Sequence, residues 1–300
     1  MNTKRLVVIV GPTGSGKTEV GIRLARPYGA PILSTDSRQM YRGLRIGTAQ
    51  PDDAQLEEVE HHFIASHDIK DDLSCGQYEV QALALLDELF LKHDTVFAVG
   101  GSGLYVRALC EGMDDLPQAS PELRGELMER LETEGLEALA DELRRLDPDY
   151  HATVDLRNPS RVVRALEVCL TTGRPFSELR TGIRRQRPFG IVRIGIDLPR
   201  EELYDRIDRR VDRMMADGLE AEARAVYPFR HLNALQTVGY RELFAYFDGK
   251  ITREEAVALI KRNSRRYAKR QLTWFRRDPR IRWFAPDATG AMIEYLDFGR

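Results

Sequence analysis

The sequence predicts an α/β fold, a largely parallel sheet that carries a phosphate-binding loop and is interrupted by a helical insertion. Three observations predict it. The apolar run at residues 6–10 feeds directly into GPTGSGKT and then into a helical pattern at Val20, Leu24 and Ala25. Further short apolar runs at 31–35, 95–99 and 191–196 alternate with helical periodicity, as in a parallel sheet with crossover helices. Between 113 and 121 the composition shifts, with Pro117 and Pro121 bracketing a boundary, and the chain beyond it is helical. The expected division is a first core segment at 1–118, an insertion at 119–189 and a core continuation at 190–300.

The 300 residues suffice for a large core, and a net charge of −2 excludes a uniformly basic nucleic-acid binder. Cys75, Cys110 and Cys169 are scattered and lack metal or disulfide spacing, which suits a reduced cytoplasm. The run behind Lys4 and Arg5 is too short for a signal-peptide core, and no run approaches the ~20 apolar residues that span a bilayer. Nothing demands a dimer, so a monomer is expected.

In chain order, the first loop comprises Gly11, Pro12, Thr13, Gly14, Ser15, Gly16, Lys17 and Thr18. Its glycines let consecutive N–H groups turn around a phosphate, Lys17 adds a cation, and the Thr18 hydroxyl can ligate Mg²⁺. The run at 31–35 delivers Asp36, Ser37, Arg38 and Gln39 at its carboxyl end, where ligands gather in parallel sheets. Asp36 there suits a general base, a Mg²⁺ ligand or a helix cap, and spacing does not choose among them. A loop at 43–53 and a short acidic helix at 55–61 come next. His61 and His62 are adjacent and point apart, so they and His67 are expected in surface or core roles in place of metal ligation.

Residues 78–91 carry Val80, Leu83, Leu86, Leu89 and Phe90 at helical spacing. The next strand ends in Gly100-Gly101-Ser102-Gly103, which suits either close approach to a ligand or a tight turn. A nucleotide hydrolase of this class has an aspartate at such a strand end to hold Mg²⁺ through water. Glycines stand here instead, which argues against hydrolysis of the bound phosphate by water.

In the insertion, helices are expected from Pro121 (Leu123, Leu127, Leu131), around Leu136, Leu139 and Leu143, and over 161–171 (Val162, Val163, Leu166, Leu170). Residues 157–187 hold eight arginines, including Arg187, against Glu167 and Glu178. After the strand at 191–196, helical patterns run to the end except at 228–237. Arg241 comes just after a glycine turn, where it is a second cation for the loop's anion. Residues 253–282 hold eleven basic and three acidic residues, with Arg262, Arg265, Arg266, Lys269 and Arg270 on one broad face. Two basic surfaces favour a polyanionic partner. Trp274 and Trp283 are expected as core anchors.

These segments together resemble one family. GPTGSGKT, DSRQMYRGLRIGTAQP, GGSGLY, NPSRVVRALEV with TGRPFSE, LYDRIDRRVDRMMADGL, VGYRE and RRYAKRQLTWFRR, in this order across almost the whole chain, are similar to the tRNA dimethylallyltransferases. The resemblance implies a P-loop NTPase-like parallel sheet core with an inserted helical tRNA-binding domain. It implies transfer of a dimethylallyl group from dimethylallyl diphosphate to N6 of the adenosine on the 3′ side of the anticodon, in tRNAs reading codons that begin with U, with Mg²⁺. It further implies that residues 13–18 bind the diphosphate and that Asp36 takes the N6 proton. Asp36, Ser37, Arg38 and Gln39 would form the target-base pocket. Ser102, Arg124, Ser160, Arg161, Val162, Val163, Arg164, Gln236, Thr237, Val238, Gly239, Tyr240 and Arg241 would meet the anticodon stem-loop. Lys17, Ser102 and Arg241 join Asp36 as catalytic candidates. Family members often carry Ala at position 14 and Thr at 102, swaps that keep the backbone and hydroxyl roles. A small-molecule kinase, a prenyltransferase acting on free adenylates and a non-catalytic RNA-binding module are the competing classes.

Overall fold

The computed structural model describes residues 4–71, 73–182 and 184–298. The chain divides into two compact units, Met1–Glu111 with Gln186–Arg300, and Gly112–Arg185. In the first, six strands form one parallel sheet: β1 (Arg5–Val10), β2 (Ile32–Ser34), β3 (His61–His62), β4 (Thr95–Gly100), β5 (Gly190–Ile196) and β6 (Arg282–Phe284), in the order β3-β2-β4-β1-β5-β6.

β1 is central, and its unbroken apolar sequence reflects burial on both faces. Leu6, Val8 and Val10 pack into one cluster, Val7 and Ile9 into the opposite one, because strand side chains alternate. Val10 is level with Gly100 of β4, and Ser34 of β2 with Val99. The segments leaving β1, β2 and β4 therefore emerge together at the carboxyl edge of the sheet.

The first four helices are α1 (Lys17–Ala25), α2 (Asp53–Glu58), α3 (Cys75–Lys92) and α4 (Gly103–Glu111). Capping boxes start α2 at Asp52 with Gln55, and α3 at Ser74 with Gln77. The buried face of α3 keeps Leu86, Leu89 and Phe90 of the expected positions, with Leu83 packed against it, but not Val80. Tyr78, Ala82, Leu86, Leu89 and Phe90 face the core, whereas Val80 is 70% exposed. Steps of three residues drift about 60° backwards around a helix, so the series beginning at Val80 starts outside the stripe that Leu86 and Leu89 join.

The second unit contains α5 (Pro121–Thr133), α6 (Leu136–Leu146), α7 (Pro148–His151), α8 (Pro159–Thr172) and α9 (Phe176–Leu179). Its core gathers Leu127, Leu139, Leu143, Val162, Val163, Leu166 and Phe176. Asn158 caps α8, Pro159 opens it and Gly173 closes it in the left-handed conformation.

The first unit continues with α10 (Arg200–Ala216), α11 (Leu219–Val226), α12 (Tyr240–Phe247), α13 (Arg253–Phe275) and α14 (Thr289–Phe298). The edge strand β6, which pairs with β5, interrupts what the sequence suggested was helix to the end, since three residues are too few for a period-2 signal. Trp283 packs against the core, but Trp274 keeps 39% of its surface exposed. Among the described residues no helix is long and apolar enough to cross a membrane.

Candidate active site

The loop after β1 is shaped by its glycines. Gly14 and Gly16 have φ of 83° and 85°, where side chains are strained, and a Cβ on Gly11 would stand 2.9 Å from the Ile196 carbonyl. The N-terminus of α1 has no side-chain cap, so its first-turn N–H groups face the loop as an anion site. Ser15 Oγ is buried there without a hydrogen-bond partner among the described residues. Burial lowers the Lys17 pKa to about 8, opposed by the Asp36 charge and reinforced by Arg210.

Asp36 leaves β2 in a tight side-chain turn, its Oδ1 accepting the Arg38 N–H at 2.9 Å. The Arg38 guanidinium donates to the Asn233 carbonyl at 2.8 Å, reaching the segment before α12. Gln39 accepts from the Ser34 hydroxyl at 3.0 Å and donates to the Ala49 carbonyl at 2.8 Å, folding the 44–50 loop over β2. Ser102, expected to contact RNA, is buried. Its Oγ accepts the Ser37 N–H at 2.9 Å and donates to Ser37 Oγ at 3.1 Å, tying the β4 loop to the β2 loop.

The segment 236–241 forms another wall. Gly239 has a φ of 103°, and its N–H donates to Glu242 at 2.8 Å. Tyr240, expected at the RNA surface, is fully buried, because its hydroxyl donates to Glu222 at 2.6 Å inside an apolar cluster. Glu222 also accepts the Ile46 and Gly47 N–H groups, both at 2.8 Å, so one carboxylate holds two walls of the site. Arg241 is exposed, and Gln236 donates to the Arg230 carbonyl at 2.7 Å.

These walls enclose a cavity of about 740 Å³ that brings together Thr13, Lys17, Asp36, Arg210, Arg241 and Tyr267. Three contributors were not singled out in the sequence. Arg210 on α10 donates to Thr13 Oγ1 at 3.2 Å, and burial lowers its pKa against the pull of Asp36. Gln271 on α13 accepts the Thr13 N–H at 2.8 Å and donates to the Gly101 carbonyl at 2.9 Å. Tyr267 on α13 lines the cavity, and burial followed by the Asp36 charge pushes its pKa up to about 12. A signal existed in the apolar stripe that Gln271 interrupts between the buried Ala268 and Phe275.

The remaining expected positions lie in the second unit and divide by burial. Val162 and Val163, expected among the RNA contacts, are core residues whose side chains pack against α5 and α6 residues such as Leu127 and Leu139. Ser160 and Arg161 are exposed. Arg124 and Arg164 both pair with the buried Glu167, at 2.8 and 3.1 Å. Arg187 is removed from the basic surface by a buried ion pair with Glu79 at 2.8 Å and a bond to the Leu109 carbonyl at 2.9 Å.

His61 and His62 lie on β3. His61 Nδ1 is 2.7 Å from the Val59 carbonyl, and burial lowers the ring's pKa. His62 lies 3.3 Å from Glu60, and His67 bonds Ser66 and Gln81. Among the described residues no three His, Cys, Asp or Glu side chains gather to hold a metal. The Thr18 hydroxyl, at the start of α1, is one oxygen that would hold Mg²⁺ beside a ligand's phosphate oxygens, as suits an ion commonly bound through few protein groups and substrate phosphates.

Comparison with known proteins agrees with this architecture. The family model described as IPP transferase matches residues 39–278. The chain is 53% identical over 294 residues to a tRNA dimethylallyltransferase of Cytophaga hutchinsonii, covering 98% of this chain and 97% of that one. It is 55% identical over 283 residues to tRNA dimethylallyltransferase 1 of Porphyromonas gingivalis, covering 94% of each. Among solved structures it is similar to the full-length tRNA isopentenylpyrophosphate transferase of Bacillus halodurans, with a TM-score of 0.72 and 38% identity over 98% of this chain and 95% of that one. With its phosphate loop, its enclosed aspartate and this full-length likeness, the chain belongs to the IPP transferase family.

Proposed function

We propose that this protein transfers a dimethylallyl group from dimethylallyl diphosphate to N6 of the adenosine on the 3′ side of the tRNA anticodon, releasing diphosphate. The observation that carries this is the presence of Asp36 in one cavity with the phosphate loop, beside Lys17 and Arg210. The new bond joins N6 to the allyl C1. The C1–O bond breaks with its electron pair leaving on the diphosphate oxygen, and the N6 proton passes to the Asp36 carboxylate. The loop N–H groups, Lys17, Arg210 and Arg241 stabilise the departing charge. The unpartnered Ser15 Oγ and the uncapped start of α1 support a diphosphate at the loop. Mg²⁺, held at Thr18, supplies further charge neutralisation when bound.

The target base must leave its stack to enter, and the exposed cations of α13, Arg262, Arg266, Lys269 and Arg270, anchor the RNA backbone while it does. Arg265 is not among them, because it pairs with Asp208. Three free cysteines suit the cytoplasm.

The test is incubation with Mg²⁺, dimethylallyl diphosphate and an unmodified anticodon stem-loop, then mass analysis of the RNA. A C5H8 increment on the adenosine 3′ of the anticodon is expected. Prenylation of free AMP with the RNA unchanged, or turnover of ATP in place of the allyl donor, would overturn the proposal.

A further inference from the structure

The assignment of Thr18 as the hydroxyl that meets Mg²⁺ leaves its hydrogen without a partner. A hydroxyl that ligates a cation through a lone pair keeps its O–H, and a neighbouring acceptor commonly holds that hydrogen and so fixes the lone pair's direction.

Thr18 and Lys17 also line a second, small cavity of about 20 Å³, whose walls include Ser34, Gln39 and His61. That is room for about one water. With His61 Nδ1 at 2.7 Å from the Val59 carbonyl, the ring hydrogen belongs to Nδ1 and leaves Nε2 as a bare acceptor. Nε2 is buried and has no hydrogen-bond partner among the described residues. Two other polar groups of the walls are already engaged. The Ser34 hydroxyl donates to Gln39 Oε1 at 3.0 Å, and Gln39 Nε2 donates to the Ala49 carbonyl at 2.8 Å. Lys17 has a long contact of 3.4 Å to the Pro12 carbonyl. The Thr18 hydroxyl is the neutral donor of the phosphate loop that shares this cavity with an acceptor lacking a donor.

We propose that one water in this cavity accepts the Thr18 hydroxyl hydrogen and donates to His61 Nε2, which makes His61 a positioning residue for the metal-binding hydroxyl. No bond is made or broken. The ring and the water set the direction in which the Thr18 lone pair points. The proposal rests on the assignment of Thr18 to Mg²⁺ and extends the site to an edge strand that carries none of the expected reacting groups.

Mn²⁺ serves as the probe, with its binding monitored by electron paramagnetic resonance in the presence of inorganic diphosphate. His61→Phe, which keeps an aromatic ring and removes the acceptor, is expected to weaken Mn²⁺ binding about 10–100-fold. Binding of the stem-loop RNA without metal is expected to stay unchanged. His61→Gln, which retains an acceptor oxygen, is expected to recover part of the loss. Equal Mn²⁺ affinity in wild type and His61→Phe would overturn the proposal while leaving Thr18 as a ligand. Failure of the wild-type protein to bind Mn²⁺ with diphosphate would overturn both. Independently of any variant's folding, the ¹⁵N spectrum of the wild-type histidines must show His61 protonated at Nδ1, and a hydrogen on Nε2 would overturn the proposal.

Discussion

Gln271 holds Thr13 by accepting its backbone N–H at 2.8 Å, and the other end of the same amide donates to the Gly101 carbonyl at 2.9 Å. One side chain thus clamps the loops leaving β1 and β4. Gly101 must lack a side chain for this, since a Cβ there would sit 2.2 Å from Gln271 Nε2. Gln271→Leu keeps the packing beside Ala268 and Phe275 but removes both bonds. At about 1–2 kcal/mol for a lost buried hydrogen bond, the KM for the allyl donor is expected to rise about 5–30-fold with RNA affinity unchanged. Steady-state kinetics with each substrate varied in turn checks it.

Asp36→Asn removes the proposed base while preserving the shape of the turn with Arg38. The rate is expected to fall about 10²–10⁴-fold. Fluorescence anisotropy with labelled stem-loop is expected to show RNA binding within a few-fold of wild type. A comparable loss in binding would mean that Asp36 acts as an anchor for the base and not in proton transfer.

Lys17 gives the site a pH dependence whose sign comes from its lowered pKa of about 8. The ammonium is charged below that value and neutral above it, so its attraction for diphosphate is complete at pH 6–7 and is lost as pH rises through about 8. Titration calorimetry with inorganic diphosphate should show this fall, and Lys17→Met should abolish it. Because the Asp36 charge opposes the lowering, Asp36→Asn should move the midpoint to lower pH.

Glu222 accepts from Ile46 N–H, Gly47 N–H and the Tyr240 hydroxyl. Glu222→Gln presents an amide NH₂ to at least one of these donors and leaves it unpaired. An expected loss of about 1–3 kcal/mol in stability, read from denaturant unfolding, accompanies a raised KM for RNA, since the 44–50 and 236–241 walls are both released.

Arg266 is exposed on the cavity wall. Arg266→Ala is expected to reduce the slope of log affinity for RNA against log salt by about 0.7–0.9, one phosphate contact's worth, with little change in stability. An unchanged slope would remove Arg266 from the RNA path.

Local chemistry made much of this protein legible in its sequence. A phosphate loop is written in consecutive residues, because glycines, lysine and threonine act within one turn of chain. The run at 6–10 shows a strand buried on both faces, and the proline-bracketed shift near 113–121 marks where the helical segment begins. Tertiary structure decided what depends on residues far apart in sequence. Arg210 and Gln271 reach Thr13 across 197 and 258 residues, and no local period tells which residue of a helix will face a loop that distant. It likewise buried Val162, Val163 and Tyr240, committed the Ser102 hydroxyl to Ser37, and paired Arg187 with Glu79. Composition counts charges and apolar groups, but only packing determines which of them remain in contact with solvent and which are spent inside.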